Sequence, residues 1–544
     1  MTAPNSPSDQ SPSDFPLLIK SLLRTPLQTA PDVEIVSDGL MRYSYRSFEG
    51  RLHRFAAGLA RHGIGAGDVV AVMDWDTHRY FEAFFAVPMM GAVLHTVNVR
   101  LAPAQIAYTI DHAEDDVILV HTDFLPLLAE VMPFVTRKVR LILLRDDPAV
   151  EPDNGLTFIT SYDAMMAGGD EGFTFEDFDE NRRATTFYTT GTTDDPKAVA
   201  YSHRQLVLHT MGILAGFGPM ETANRLHRGD VYMPITPMFH VHAWGFPYAA
   251  TLLGIKQVYA GRYTPENLLR LIAEEGATFT HCVPTILQML LSAPQAADTD
   301  LSRLKMVIGG SALPLGLAEA AMARGIDIYA GYGLSETCPV LSYAVLTPGE
   351  EGDAAARVKT GWPLPLVDLR IVDEEMAEQP RDGASTGEVV VRAPWLTAEY
   401  VKNPAATADL WRGGFMHTGD VGHIDADGSL MITDRMKDVI KSGGEWVSSL
   451  ALESLASAVE GVAEVAAIGM PDPKWGERPL LLIVPVEAAD SSAIECAVKA
   501  AFAGIVDAGG LSKWAVPEEI RFVSEIAKTS VGKIDKKALR ATLV

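Results

Sequence analysis

Between residues 47 and 63 the apolar positions Phe48, Leu52, Phe55 and Leu59 recur three and four apart, with Arg51 and Arg54 between them. A stripe on that repeat predicts an amphipathic helix, opened at Ser47 and closed by Gly63, with its apolar face turned to a core. The unbroken apolar run at 69–73 is too short for a helix and predicts a buried strand. Residues 80–90 read as a second helix, and 92–94, 117–120 and 141–144 as further strands. Helix and strand in alternation predict a parallel sheet covered by helices.

The same alternation returns with strands at 256–259 and 306–310 and a helix at 265–275, which predicts a second doubly wound sheet. Ligands are expected beyond the carboxyl ends of its strands. After about residue 353 short strands and turns take over, as at 387–392, predicting a small β-rich subdomain. The texture changes again near Asp434. The fold class expected is therefore α/β: a large N-terminal domain over 15–434 with two doubly wound sheets and a β-rich subdomain, then a small mobile α+β lid domain over 435–544. Residues 1–14 are rich in Ser, Pro and Asp, without a basic start or an apolar run, and predict a disordered tail rather than a signal peptide.

Composition narrows the functional classes. A chain of 544 residues exceeds what one core supports. Its 45 basic against 70 acidic residues leave a net charge of −25, which argues against nonspecific binding to nucleic acid or anionic membrane. A polyanionic substrate must then be held by a local group of cations or a metal. Cys282, Cys338 and Cys496 lie far apart and form no CxxC pair, so neither a disulfide framework nor a zinc site is predicted, and a reducing, cytoplasmic home is expected. No apolar stretch reaches the roughly 18 residues of a membrane span.

Candidate chemistry begins with Tyr188-Thr189-Thr190-Gly191-Thr192-Thr193-Asp194-Asp195-Pro196-Lys197. Hydroxyls and backbone N–H groups converge on a polyphosphate only where side chains are small, and a terminal lysine adds a point charge. By itself such a loop also reads as a polar turn between two strands. His240 and His242, two apart, would face one way on a strand, but no third ligand lies near and metal ligation is not predicted.

The order of the motifs carries more than any one of them. The loop is followed by Met238-Phe239-His240-Val241-His242-Ala243-Trp244-Gly245, Gly309-Gly310-Ser311-Ala312, and Gly331-Tyr332-Gly333-Leu334-Ser335-Glu336-Thr337. Then come Thr418-Gly419-Asp420, Asp434-Arg435-Met436-Lys437-Asp438, Lys441-Ser442-Gly443-Gly444-Glu445 and Lys528-Thr529-Ser530-Val531-Gly532-Lys533. From about residue 30 to the C-terminus this set resembles the adenylate-forming superfamily, and within it bacterial medium- and long-chain acyl-CoA synthetases and methylmercaptopropionate-CoA ligases.

The resemblance implies activation of a carboxylic acid by ATP as an acyl-adenylate, then lid rotation and thioester formation with coenzyme A. The partners implied are the acid, ATP, Mg²⁺ and coenzyme A, with no nucleic acid and a homodimeric assembly. ATP and AMP contacts fall to Thr189, Thr190, Gly191, Thr192, Thr193, Lys197, Gly310, Ser311, Ala312, Gly331, Tyr332, Gly333, Ser335, Thr337, Asp420 and Arg435. Within that set Tyr332 stacks on adenine, worth about 1–3 kcal/mol for an aromatic face on a base, and Asp420 accepts the ribose hydroxyls. Glu336 holds the metal, since hard cations prefer oxygen. Lys533 bridges carboxylate and α-phosphate, where positioned cationic stabilisation is large. Lys441 and His240 complete the implied catalytic set. His240, Trp244, Gly309 and Gly331 line the acyl pocket, Gly443 and Gly444 the coenzyme A tunnel, and Lys437 is the hinge. Relatives that activate amino acids carry an aspartate near the start of the 238–245 segment, which has no acid here; an apolar or aromatic acid without an amino group is implied.

Three departures stand out. The family carries glycine where this chain has Asp194 and Ala198, and commonly proline where it has Ala527. A unit repulsion at roughly 5 Å and an effective dielectric near 20 is about 3 kcal/mol. Two other readings therefore stand beside the CoA ligase: an adenylating enzyme with a different acceptor, nitrite-activating diazotase-like relatives included, and a nucleotide-binding protein without turnover. Calorimetry on Asp194→Gly tests the acid's part: a merely tolerated acid gives ATP binding tighter by up to about a hundredfold, whereas an acid recruited to metal or substrate gives lost turnover.

Overall fold

The computed structural model describes residues 15–147, 149, 155–189, 195–220, 225–442, 445–487, 489–507, 511–529 and 534–543. The predicted tail 1–14 lies outside them. The first helix starts earlier than its apolar stripe suggests, at Tyr45–Arg61, because the hydroxyl of Ser44 accepts the N–H of Ser47 and so caps it one turn upstream. Phe48, Leu52, Phe55 and Leu59 are all fully buried.

Among the described residues the strands form four sheets. One has seven strands in the order Thr160–Ser161, Arg140–Leu144, Val117–His121, Val69–Met73, Val93–Thr96, Arg183–Tyr188 and Ala198–Ser202. Every neighbour is parallel except the last pair, which is antiparallel. The candidate phosphate loop thus lies between two antiparallel strands, Arg183–Tyr188 and Ala198–Ser202.

A second sheet has nine strands, with Lys256–Tyr259, Val231–Tyr232, Phe279–Cys282, Lys305–Ile308 and Asp327–Gly333 as its parallel centre. One edge is formed by the N-terminal hairpin, Glu34–Ser37 and Met41–Ser44, which joins this sheet although the strands that follow it in sequence join the other. The helix His78–Met89 is buried at every residue, and Phe81 stacks on Phe48 and Tyr259 at 4.7 and 4.8 Å. A helix with no solvent face must satisfy its polar side chains internally. Glu82 does so by accepting from Arg51 Nε at 2.6 Å and from the Tyr162 hydroxyl at 2.5 Å.

The expected β-rich subdomain is an antiparallel sheet of Asp368–Val372, Gly387–Arg392, Met416–Ile424 and Leu430–Arg435. Its register makes Asp420 and Arg435 cross-strand partners. The C-terminal segment builds a separate sheet around Val462–Asp472 and Gly476–Pro485, with helices Ser449–Ser457, Ser491–Asp507 and Lys536–Leu543. It has its own apolar cluster, including Ile440, Leu452, Leu481 and Phe502. Among the described residues no helix is long and apolar enough to cross a membrane.

Removing one partner of a buried ion pair costs about 3–5 kcal/mol because the other charge stays desolvated. Arg51→Ala is therefore expected to lower the urea midpoint and the melting temperature of the N-terminal domain clearly; an unchanged melt contradicts the role given to Glu82.

Candidate active site

The strand Asp327–Gly333 ends in a sharp turn, Ser335–Thr337. Two glycines let the chain pass: a Cβ on Gly333 would lie 1.8 Å from the Pro339 carbonyl oxygen, and one on Gly331 would lie 2.9 Å from Val307 Cγ1. Thr337 Oγ1 accepts the Leu334 N–H at 2.9 Å and fastens the turn. Tyr332 projects from the strand and donates its hydroxyl to Asp420 Oδ2 at 2.7 Å, while Arg435 Nε lies 3.2 Å from Asp420 Oδ1. Both oxygens of the expected ribose acceptor thus have protein partners that fix its plane.

Glu336 extends from the same turn. Its Oε1 accepts the hydroxyl of Tyr400 at 2.5 Å, and its backbone carbonyl accepts the Thr397 N–H at 3.0 Å. The Tyr201 hydroxyl donates to the Ser335 carbonyl at 2.7 Å, which ties the turn to the strand leaving the phosphate loop. At the neck of that loop Thr189 N–H donates to the Lys197 carbonyl at 2.9 Å, and Lys197 N–H to Thr189 Oγ1 at 3.3 Å. Thr190, Gly191, Thr192, Thr193 and Asp194 lie outside the described residues.

The segment after Pro237 is not the strand on which a histidine pair would share a face. Val241, His242, Ala243 and Trp244 all have positive φ, 48°, 55°, 47° and 60°. Left-handed backbone costs non-glycine residues roughly 1–2 kcal/mol each, so the run persists only because its surroundings hold it. Asp76 Oδ1 accepts the Met238 N–H at 3.0 Å, Thr96 Oγ1 donates to the Phe239 carbonyl at 3.0 Å, and Asp76 Oδ2 accepts the Tyr263 hydroxyl. His242 is fully buried, neither ring nitrogen has a hydrogen-bond partner among the described residues, and burial lowers its pKa to about 3. Trp244 stacks on His281 at 5.0 Å, and a Cβ on Gly309 would meet its Cη2 at 3.0 Å and the Gly331 carbonyl oxygen at 3.2 Å. Trp244, Gly309 and Gly331 thus lie together, with His240 at the start of the strained run.

A cavity of ≈ 1150 Å³ joins the expected nucleotide residues Gly310, Ser311, Ala312, Gly331, Tyr332, Gly333, Asp420 and Arg435 to the hinge candidate Lys437. Its other wall comes from the C-terminal segment and includes Thr529 and Ile534. Lys533 lies outside the described residues, as do Gly443 and Gly444. Lys441 is exposed on the strand Ile440–Ser442, and its N–H donates to Glu477 Oε2 at 2.9 Å. Glu336, Lys197, Ser335, Thr337, His240 and Trp244 are not walls of this cavity. Tyr400, Thr397, Tyr201 and Asp76 escape sequence reasoning, since each acts on a partner remote in the chain.

The AMP-binding enzyme family matches residues 23–401, and the AMP-binding enzyme C-terminal domain matches 451–533. The chain is 40% identical to a long-chain-fatty-acid–CoA ligase of Thermus thermophilus, over 92% of this chain and 90% of that protein. It is 36% identical to a 3-methylmercaptopropionyl-CoA ligase of Ruegeria lacuscaerulensis, over 96% and 97%. Its fold is that of a solved anthranilate CoA ligase in complex with anthranoyl-AMP, with a TM-score of 0.85, 22% identity, and 98% and 99% of the two chains covered.

Burial raises the Asp76 carboxyl from its ordinary 3.8 to about 7. A carboxyl raised on folding stabilises the protein fully below its unfolded value, and that stability is lost as pH climbs through the folded value. Asp76→Asn removes the titration, so the wild-type advantage in unfolding free energy should shrink as pH rises from about 4 to 7. A pH-independent difference between the two melts contradicts this.

Proposed function

We propose, for a chain that belongs to the AMP-binding enzyme family, that it is an AMP-forming acyl-CoA ligase whose nucleotide lies in the cavity between the Tyr332 turn and the C-terminal domain. The observation that carries this reading is the meeting of Tyr332, Asp420 and Arg435 with Thr529 and Ile534 around one cavity. Lys533 directly precedes Ile534, and Lys528 and Ile534 are bridged as antiparallel neighbours.

In the first half-reaction a carboxylate oxygen attacks the α-phosphorus of ATP and pyrophosphate leaves. Negative charge gathers on the α-phosphate oxygens, where Lys533 offsets it. Lys197 attends the outer phosphates. Glu336 fits Mg²⁺ by the chemistry of its donor: one carboxylate, with no cluster of three His, Cys, Asp or Glu among the described residues able to cage an ion. Mg²⁺ is usually bound by one or two carboxylates plus substrate phosphates, and an ion held by Glu336 would supply charge neutralisation there. Asp420, with its plane set by Tyr332 and Arg435, receives the ribose. In the second half-reaction, after rotation about Lys437 and with Gly443 and Gly444 assigned to the coenzyme A tunnel, the thiol gives its proton to solvent, its sulfur attacks the acyl carbonyl carbon, and the bond from that carbon to the phosphate oxygen breaks to release AMP.

The acid is apolar or aromatic. The pocket side is built from Trp244, His281 and Gly309, with burial holding His281 neutral. The buried acid behind it, Asp76, is committed to Met238 N–H and Tyr263. A cytoplasmic homodimer completes the proposal.

Pyrophosphate release measured over short, medium, aromatic and inorganic acids, with and without coenzyme A, tests the reading. Thioester detected by mass spectrometry is expected with at least one carboxylic acid; adenylate without thioester across the panel removes the ligase claim. Lys533→Ala and Glu336→Ala are each expected to lower the adenylation rate by about 10²–10³ at an unchanged melting temperature, and wild-type rates in either variant remove the corresponding assignment.

A further inference from the structure

Glu336 and Lys197 belong to different sheets, the first to the turn after Asp327–Gly333 and the second to the hairpin before Ala198–Ser202. Among the described residues no ion pair joins them. Both instead meet one side chain. The Tyr400 hydroxyl donates to Glu336 Oε1 at 2.5 Å, a charge-assisted length, and the Lys197 ammonium lies 4.9 Å from the centroid of the Tyr400 ring. Tyr400 is 8% exposed.

The backbone around Tyr400 is anchored to the same two places. Tyr400 is bridged to Val199, and Val401 N–H donates to the Ala198 carbonyl at 3.0 Å. Thr397 N–H donates to the Glu336 carbonyl and Thr397 Oγ1 to the Ala200 carbonyl at 3.2 Å. The ring therefore cannot follow one neighbour without pulling on the other.

A lysine and a carboxylate that meet the same side chain could otherwise pair with each other. Such a pair neutralises the oxygen a cation needs and the ammonium a phosphate needs. A phenol between them prevents that: its hydroxyl binds the carboxylate without cancelling its charge, and its π-face holds the ammonium without an anion. We propose that Tyr400 is a positioning residue that keeps Glu336 and Lys197 apart and presents the carboxylate to the metal and the ammonium to the phosphates of one bound MgATP. This rests on the nucleotide reading above.

Calorimetry with the non-cleavable analogue adenosine 5′-(α,β-methylene)triphosphate, with and without Mg²⁺, tests it. Tyr400→Phe keeps the ring and drops the hydroxyl: analogue affinity should fall about tenfold with Mg²⁺ and stay within about twofold without it. Tyr400→Leu removes both contacts, and affinity should fall in both conditions. The wild-type melting temperature retained in Tyr400→Phe separates positioning from loss of structure. Equal weakening of Tyr400→Phe with and without Mg²⁺, or no weakening at all, overturns the inference alone. A wild-type chain that binds no analogue overturns the nucleotide reading and this inference with it.

Discussion

Asp420 is where the architecture converges. One oxygen receives the hydroxyl of Tyr332 from the nine-stranded sheet, and the other faces Arg435, the last residue of the β-rich sheet before the chain leaves for the C-terminal domain. A carboxylate that is nearly inaccessible to water and doubly engaged cannot rotate, so the turn, the subdomain and the exit strand share one geometry. The cavity forms along this line of contacts, and its far wall is supplied by residues C-terminal to Arg435.

That far wall is held by a second buried polar group. Lys536 pairs with Glu453 at 2.8 Å and donates to Ser449 Oγ at 2.5 Å, while Ser449 N–H donates to Asp434 Oδ2 at 2.5 Å. Burial raises the carboxyls of Asp434 and Glu453, and the ammonium between them opposes that rise. Arg540 pairs with Asp438 at 3.0 Å just beyond Lys437. The residues on either side of Lys437 are thus bound to the C-terminal helices, Asp438 through Arg540 and Asp434 through Ser449.

The segment at residues 241–244 follows a different logic, strain held by its surroundings. Four consecutive left-handed residues are tolerable only when neighbours over-determine them, and here a buried acid, a threonine and an aromatic layer do so. The return is placement: the indole of Trp244 lies against Gly309, where any side chain would displace it.

Fully buried strands and strongly amphipathic helices were legible directly. Val69–Met73, Lys256–Tyr259 and Pro265–Glu275 stand where their apolar runs and caps predict, because burial on both faces or on one stripe writes itself into consecutive residues. The order of the polar motifs likewise determined the family. Three-dimensional packing alone decided that residues 34–44 pair with the second sheet, that residues 241–244 are left-handed, and that Tyr400 stands between Glu336 and Lys197. The reason is separation along the chain: Tyr400 meets Glu336 across 64 residues and Asp76 meets Met238 across 162, and periodicity carries no information beyond one element.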